Sequence, residues 1–300
     1  MPVLLVILFF ECQLYLMPNS YSFKKHILEK NMDTQILILG TSHELTGINP
    51  AFLSKKTINL ANSDQPLYID YKILDQNLSR LKNLETVIIP VSYFSLETKM
   101  ADTPEYWREF FYERYFNIPP ETSQHLFDMK RFSLLALYGQ RESMLFAMKL
   151  FHQSQGINGV IGAIKDNGFQ PSETGRSVLN ETAGKNSVAG HESMMKANNI
   201  NANASYLTSM IRELGQRNIK AVLITTPVTP YYYDHINPQT YDRMQQVLHD
   251  ISFKYQVPYL NYMEDQRFNI SDFSDTNHLN PDGAEKFTKI LNSYLKKTNQ

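Results

Sequence analysis

The sequence is short of almost everything that would announce a function at once. It has one cysteine, Cys12, in 300 residues. That excludes an internal disulfide framework and a thiolate metal cluster. Its eight histidines are scattered, with no two at ligand spacing beside carboxylates, so a histidine-based metal site is not expected. No Gly-x-Gly-x-x-Gly and no phosphate loop occurs, which leaves nucleotide cofactors unsupported. The 29 basic and 30 acidic side chains nearly cancel, so no overall field favours nucleic acid. There is no internal repeat and no low-complexity run.

What is present is ordinary globular material with an aromatic bias. Hydrophobic residues make up 42% and charged residues 20%. Against one Trp stand 18 Tyr and 17 Phe. Core packing and a carbohydrate-facing groove both account for that bias.

Met1 to Met17 (MPVLLVILFFECQLYLM) is apolar apart from Glu11 and Gln13. A helix of about 16 residues rises ~24 Å, short of the ~30 Å hydrocarbon core. A signal-anchor helix over residues 1–23 is the leading expectation. A cleaved signal peptide and a buried helix are the competing ones. Lys24, Lys25 and Lys30 follow the apolar run and nothing basic precedes it. By the positive-inside tendency this puts the main domain in the cytoplasm. A missing basic leader would reverse that, and the start is read as truncated.

From residue 24 onward the pattern is that of one α/β domain. Buried strands are expected at Gln35–Leu39, Thr57–Ala61, Thr86–Val91, Lys220–Thr226 and Val257–Leu260. Helical stripes are expected over Pro66–Asn83 and Ala204–Asn218, and after the Asn-Pro openings at 49–50, 237–238 and 280–281. Residues 97–203 read as one long insertion after the third strand, helical to about 152 and loop beyond. Such insertions are commonly lids or binding walls. Alternating strands and helices imply a five-stranded parallel sheet covered on both faces, with ligands at the carboxyl ends of its strands.

Two loops at those ends carry usable chemistry. Ser42 follows the first strand in Leu39-Gly40-Thr41-Ser42-His43, where a glycine permits a sharp turn and a helix start can aim N–H groups at an oxyanion. Asp275 and His278 precede the last helix in Asp275-Thr276-Asn277-His278. An aspartate three residues before a histidine can accept its Nδ1–H and leave Nε2 free to take a proton from serine. Taken singly, each is more often a plain turn or a polar surface loop. Asp272 reads as an exposed turn residue. His43 either packs the turn or binds substrate. Tyr231, Tyr232 and Tyr233 stand at the edge of the site, and His191 and Arg176 in the insertion are bare candidates.

Together these blocks carry a resemblance. Ile36 to Ser42 resembles the first block of SGNH (GDSL-type) hydrolases, with Thr41 where many members have aspartate. Asp275 to His278 resembles their last block. Leu39 to Pro50 (LGTSHELTGINP), followed by Asn59-Leu60-Ala61 and Gln65, is similar to a bacterial membrane-anchored branch. That branch includes alginate O-acetyltransferases and teichoic-acid D-alanylation proteins. The resemblance spans about residues 24–96 and 204–295.

It implies an SGNH/flavodoxin-like fold, an acyl-enzyme on Ser42, His278 as general base and Asp275 as its orienter. It implies no cofactor. The oxyanion would be held by the N–H of Ser42 and a backbone N–H near Ser63. The implied substrate is an acylated envelope or extracellular polysaccharide. The implied setting is a membrane-anchored, extracytoplasmic domain, with a multispanning membrane acyltransferase as a possible partner. Two departures stand out. The second block lacks its glycine and reads Asn62-Ser63-Asp64. The third lacks its asparagine and reads Pro90-Val91-Ser92-Tyr93-Phe94. Ser92 or Asn62 is the expected replacement donor. Losing one such donor costs ~10²–10³ in rate, which suits a specialised transferase or weak hydrolase. It leaves a non-catalytic glycan-binding or scaffold protein as the alternative.

Overall fold

In the computed structural model, residues 2–138, 164–172 and 178–297 are described. Arg176 lies outside them. The chain forms two compact units. One comprises Met1–His26 with Met100–Ile164, and the other Ile27–Lys99 with Lys165–Gln300.

The larger unit is built on five parallel strands: β1 (Ile36–Ile38), β2 (Thr57–Asn59), β3 (Thr86–Pro90), β4 (Lys220–Thr225) and β5 (Tyr259–Asn261). Their order is β2-β1-β3-β4-β5, the doubly wound arrangement expected from the sequence. Leu37 faces Ile58 on one side and Val87 on the other, and Ile88 faces Val222. Strands β1 to β3 are buried throughout. This accounts for the unbroken apolar run of β1 and the apolar centre of β3 in place of alternation.

Helix α12 (Pro281–Lys297) lays Phe287, Leu291 and Leu295 onto Ile36, Ile38, Ile88, Val222 and Ile224. It packs beside α3 (Ser42–Gly47). Helices α4 (Leu67–Asn77), α9 (Ile200–Gly215) and α11 (Pro238–Tyr255) pack together elsewhere on the sheet. Asn-Pro openings behave as their chemistry dictates. Asn237 accepts from the N–H groups of Gln239 and Thr240, and Asn49 from that of Ala51.

The second half of the expected insertion needs correcting. Residues 153–203 read as loop because they are rich in Gly, Asn and Ser. Within them lies α8 (Glu181–Glu192), capped by Asn180 accepting from the Ala183 N–H at 2.9 Å. Tertiary packing overrides the weak propensity. A Cβ at Gly184 would stand 1.8 Å from the carbonyl oxygen of Tyr231. The glycine therefore lets α8 lie directly against α10 (Pro230–Tyr233). Of the expected insertion, Met100–Ile164 falls in the other unit.

That smaller unit contains α1 (Pro2–Leu16), the beginning of α2 (Ser20–Lys30), α5 (Arg108–Phe116), α6 (Met129–Phe132) and α7 (Leu134–Tyr138). Glu11, the odd charge in the apolar run, caps α7. Its carboxylate accepts the Ser133 hydroxyl and the N–H groups of Leu134 (2.9 Å) and Leu135 (3.2 Å). Leu4 to Phe9 are exposed, while Leu14 is buried. Among the described residues no single helix is long and apolar enough to cross a membrane. Leu4–Leu16 and Ser20–Lys30 reach that length only as a pair, bent by 46°.

Candidate active site

The site forms where β1 ends, and the motif residues explain its shape. Gly40 has φ +116°, a backbone conformation that other residues rarely adopt, and a Cβ there would lie 2.6 Å from Glu44 Oε2 and from Pro90. Thr41 caps α3 as half of a capping box. Its hydroxyl accepts from the His43 N–H at 3.2 Å, and its own N–H donates to Glu44 Oε2 at 2.9 Å. This sets Ser42 in the first turn of α3. Asn59 ties the end of β2 to that helix by donating to the carbonyls of Glu44 (2.7 Å) and Ile48 (3.0 Å).

Beneath the turn lie two buried carboxyls, Glu44 and Asp70. Burial pushes Glu44 up to about 8 against the hydrogen bonds from Thr41, and the charge of Asp70 adds to the rise. Burial likewise lifts Asp70 to about 7, against hydrogen bonds from Gln65 Nε2 (2.6 Å) and the Gly40 N–H (3.1 Å). Glu44 Oε1 has no hydrogen-bond partner among the described residues. Burial thus favours the protonated form of Glu44 near neutral pH.

The second half of the site is the loop before α12. It is pinched shut by pairing of Phe273 with Leu279 and by the Ser274 N–H donating to the His278 carbonyl at 2.9 Å. Thr229, after β4, donates to the Thr276 carbonyl from its hydroxyl (2.7 Å) and its N–H (3.1 Å). Within the loop the Asp275 carboxylate accepts the N–H groups of Asn277 (2.9 Å) and His278 (2.8 Å). It also meets His278 Nδ1 at 2.8 Å. Burial alone would raise this carboxyl. The hydrogen bond and charge of His278, with the two N–H donors, hold it down at about 2. It is ionised at any working pH, and its partner nitrogen carries the proton.

The two halves meet. His278 Nε2 lies 2.8 Å from Ser42 Oγ. With Nδ1 protonated, Nε2 is the acceptor and the serine hydroxyl the donor. The structure thus brings Ser42, His278 and Asp275 into one hydrogen-bonded line. Among the described residues the Ser42 N–H meets no acceptor, so it is open to an incoming oxyanion.

The other expected donors divide. Asn62 is fastened to the turn by its N–H, which donates to the Gly40 carbonyl at 3.1 Å, and its Nδ2 has no acceptor among the described residues. The N–H of Ser63 is not available, because it donates to Asn62 Oδ1 at 3.1 Å. The N–H of Ser92 is not available either. The residue is buried, its N–H donates to Ser95 Oγ at 2.9 Å, and its hydroxyl lies 3.4 Å from His43 Nδ1. His43 offers substrate nothing. Asn277 Nδ2 donates to its Nε2 at 2.9 Å, so its proton sits on Nδ1, facing Ser92 and Thr226. Burial, then the charges of His278 and His191, hold it well below the usual histidine range. It is a neutral brace, its ring edge-on to that of His278 at 5.0 Å.

Tyr231 makes no hydrogen bond to the triad. Its neighbour Tyr232 reaches inward to His191 instead, at 2.7 Å. Asp272 is not a plain exposed turn residue. It accepts the Asn269 N–H and Lys286 Nζ, both at 2.8 Å. Sequence reasoning passed over Asn277, which occupies a filler position of the Asp-x-x-His pattern. It also passed over Glu44, visible only as the fourth residue of a capping box. Among the described residues no group of His, Cys, Asp and Glu could hold a metal ion.

A family model that carries no descriptive name matches residues 178–300, less than half of the chain. No curated protein matches. Among solved structures, a presumed acylhydrolase from Bacteroides fragilis is similar at 12% identity and a TM-score of 0.43, over 97% of this chain and 96% of that one. A GDSL-like lipase from Bacteroides thetaiotaomicron is similar at 10% identity and a TM-score of 0.43, over 93% and 99%. A presumed lipolytic protein of the G-D-S-L family from Desulfitobacterium hafniense is similar at 10% identity and a TM-score of 0.39, over 87% and 98%.

Proposed function

We propose that this chain is a serine-dependent acyl-transfer enzyme of the SGNH type, acting on O-acyl, most simply O-acetyl, groups. The observation that carries the reading is the unbroken line from Ser42 Oγ through the His278 ring to the Asp275 carboxylate. Such a line has an evident chemical use.

The steps follow from the protonation states. Ser42 Oγ attacks the acyl carbonyl carbon as His278 Nε2 takes its proton. Asp275, ionised, stabilises the imidazolium and holds its orientation. The tetrahedral oxyanion is received by the Ser42 N–H and Asn62 Nδ2. Collapse expels the alcohol, which takes the proton back from Nε2, and leaves an acyl-enzyme. A second hydroxyl, of water or of a sugar, then repeats the cycle in reverse. Water gives hydrolysis, and a sugar hydroxyl gives transfer.

The proposed substrate is an acylated polysaccharide of the cell envelope, served by a membrane-anchored protein. The motif resemblance and the exposed apolar face of α1 support this. The whole chain with a fluorophosphonate probe is the direct test. Ser42 is expected to be labelled, and Ser42→Ala to lose both labelling and ~10⁴-fold or more of the acetyl-ester turnover. Equal turnover in the two proteins would overturn the enzymatic reading and favour a glycan-binding scaffold.

A further inference from the structure

His191 has no part in the steps above, yet it is built into the site. It lies near the end of α8 and packs its ring on Phe94, with centroids 4.3 Å apart. Its ring centroid is 6.2 Å from that of His43. The charge of His278 is felt there too. Burial, then that charge, lowers His191 to about 4, so it is neutral at working pH.

Its tautomer follows from Tyr232. The Tyr232 side chain is fully buried, and among the described residues its hydroxyl meets only His191 Nδ1, at 2.7 Å. Were Nδ1 protonated, it would donate to the phenol oxygen and leave the phenol hydrogen buried without an acceptor. That arrangement is disfavoured, because a buried donor that has left water gains no hydrogen bond in return. The phenol therefore donates to Nδ1, and the imidazole carries its one hydrogen on Nε2. Among the described residues that Nε2–H has no acceptor, and the residue is only partly buried. It is a fixed, neutral, unused donor at the edge of the triad.

Its side of the site is set by the strand order. Ser42 follows β1 and Asn62 follows β2. Phe94 and Tyr232, which hold His191, follow β3 and β4 on the other side of β1. The loop that carries Asn62 and the loops that hold His191 thus lie on opposite sides of the Ser42 turn. The leaving alcohol oxygen must stand beside His278 Nε2, which protonates it, and the His43 ring links the His278 ring (5.0 Å) to that of His191 (6.2 Å), on the alcohol's side of the site.

We infer that His191 is a specificity-determining residue whose Nε2–H binds a second oxygen on the alcohol half of the ester, so that the site selects esters of polyols over esters of simple alcohols. This rests on the acyl-transfer reading and names its substrate class more closely. The donor is uncharged, so it fits a hydroxyl or ether oxygen as well as an anion, and the rings of Phe94 and Tyr232 lie beside it.

The test compares two acetate esters on the full chain. Phenyl acetate has no second oxygen in its alcohol half. A mono-O-acetylated methyl glucoside has several. The variant His191→Phe/Tyr232→Phe removes the donor together with the phenol that would otherwise be orphaned. Its kcat/KM for the sugar ester is expected to fall by about tenfold or more, chiefly through KM. Phenyl acetate turnover and fluorophosphonate labelling of Ser42 should stay within about threefold of the parent, and His191→Gln should recover part of the sugar-ester loss. Equal losses on both esters would mean a structural role and overturn the inference, as would no loss on either. If the parent protein itself fails to label at Ser42, the acyl-transfer reading falls and takes this inference with it.

Discussion

The two halves of the site are built on opposite principles. The turn that carries Ser42, the proposed nucleophile, runs from Gly40 to Glu44 and is stiff because it is buried. It rests on a glycine with no room for a side chain and on two carboxyls held out of water. The loop that carries His278, the proposed general base, runs from Asp275 to His278 and is stiff because it is bonded. Nearly every polar group in it has a partner, while Asp275 and His278 keep some contact with solvent. The difference is instructive. A nucleophile needs only its position fixed, and packing does that. A general base must change charge during each cycle, so its surroundings must tolerate both states. An ionised partner and nearby solvent provide this, whereas a dry pocket would not.

The largest effect expected from breaking this contrast is at Asp275. Asp275→Asn keeps the loop's shape but presents an amide to Nδ1 and favours the wrong tautomer. Acetyl-ester kcat should fall by ~10⁴ with KM little changed, as steady-state kinetics would read. The same carboxyl also contributes to stability. Its folded value, about 2, lies below the ordinary 3.8. That contribution is present in full above pH ~4 and is lost as pH falls toward 2. Thermal melts across pH 2–5 should show the loss in the parent and a flatter profile in the variant.

A smaller effect is expected where the halves touch. Asn277→Leu removes the Nδ2 donor to His43 and leaves the backbone N–H to Asp275 in place. One neutral hydrogen bond amounts to a loss of about five- to tenfold in kcat/KM. A loss nearer that of Asp275→Asn would show that the brace, not the carboxylate, orients the base.

The smallest catalytic effect, with an opposite sign in stability, belongs to Glu44. Its folded value near 8 stands above the ordinary 4.5. Between those values the folded state keeps a proton that the unfolded chain has released, so stability falls as pH rises from about 4.5 to 8. Glu44→Gln removes that dependence. Differential scanning calorimetry should find the variant gaining on the parent with rising pH, by ~2–4 °C for each kcal/mol recovered. Turnover should change by less than about threefold, since Gln retains the carbonyl that accepts from Thr41.

Much of the molecule was legible beforehand because its signals are local. Apolar runs such as Gln35–Leu39 mark buried strands, though only their centres pair. The Asn-Pro openings mark helix starts. What escaped did so for a physical reason. Helix α8 mixes helix formers with Gly184, Asn186, Ser187 and Gly190, and its seat against α10 decides its state. Tyr231 and Tyr232 are alike in sequence, and the helical turn at Pro230 alone determines which of them faces His191. Ser63 and Ser92 are plausible donors by composition, but their backbone N–H groups are spent on Asn62 and Ser95, and the Ser92 side chain is buried against His43.

By itself, then, the sequence determined the alternation of strands and helices, the capped turn around Ser42 and the Asp275-to-His278 spacing, because each depends on neighbours within a few residues. Only the tertiary structure decided that the His278 ring meets the Ser42 hydroxyl, that His43 is held by Asn277, and that His191 meets the buried Tyr232 hydroxyl. Those outcomes depend on burial and on partners more than 40 residues away along the chain, which no local pattern encodes.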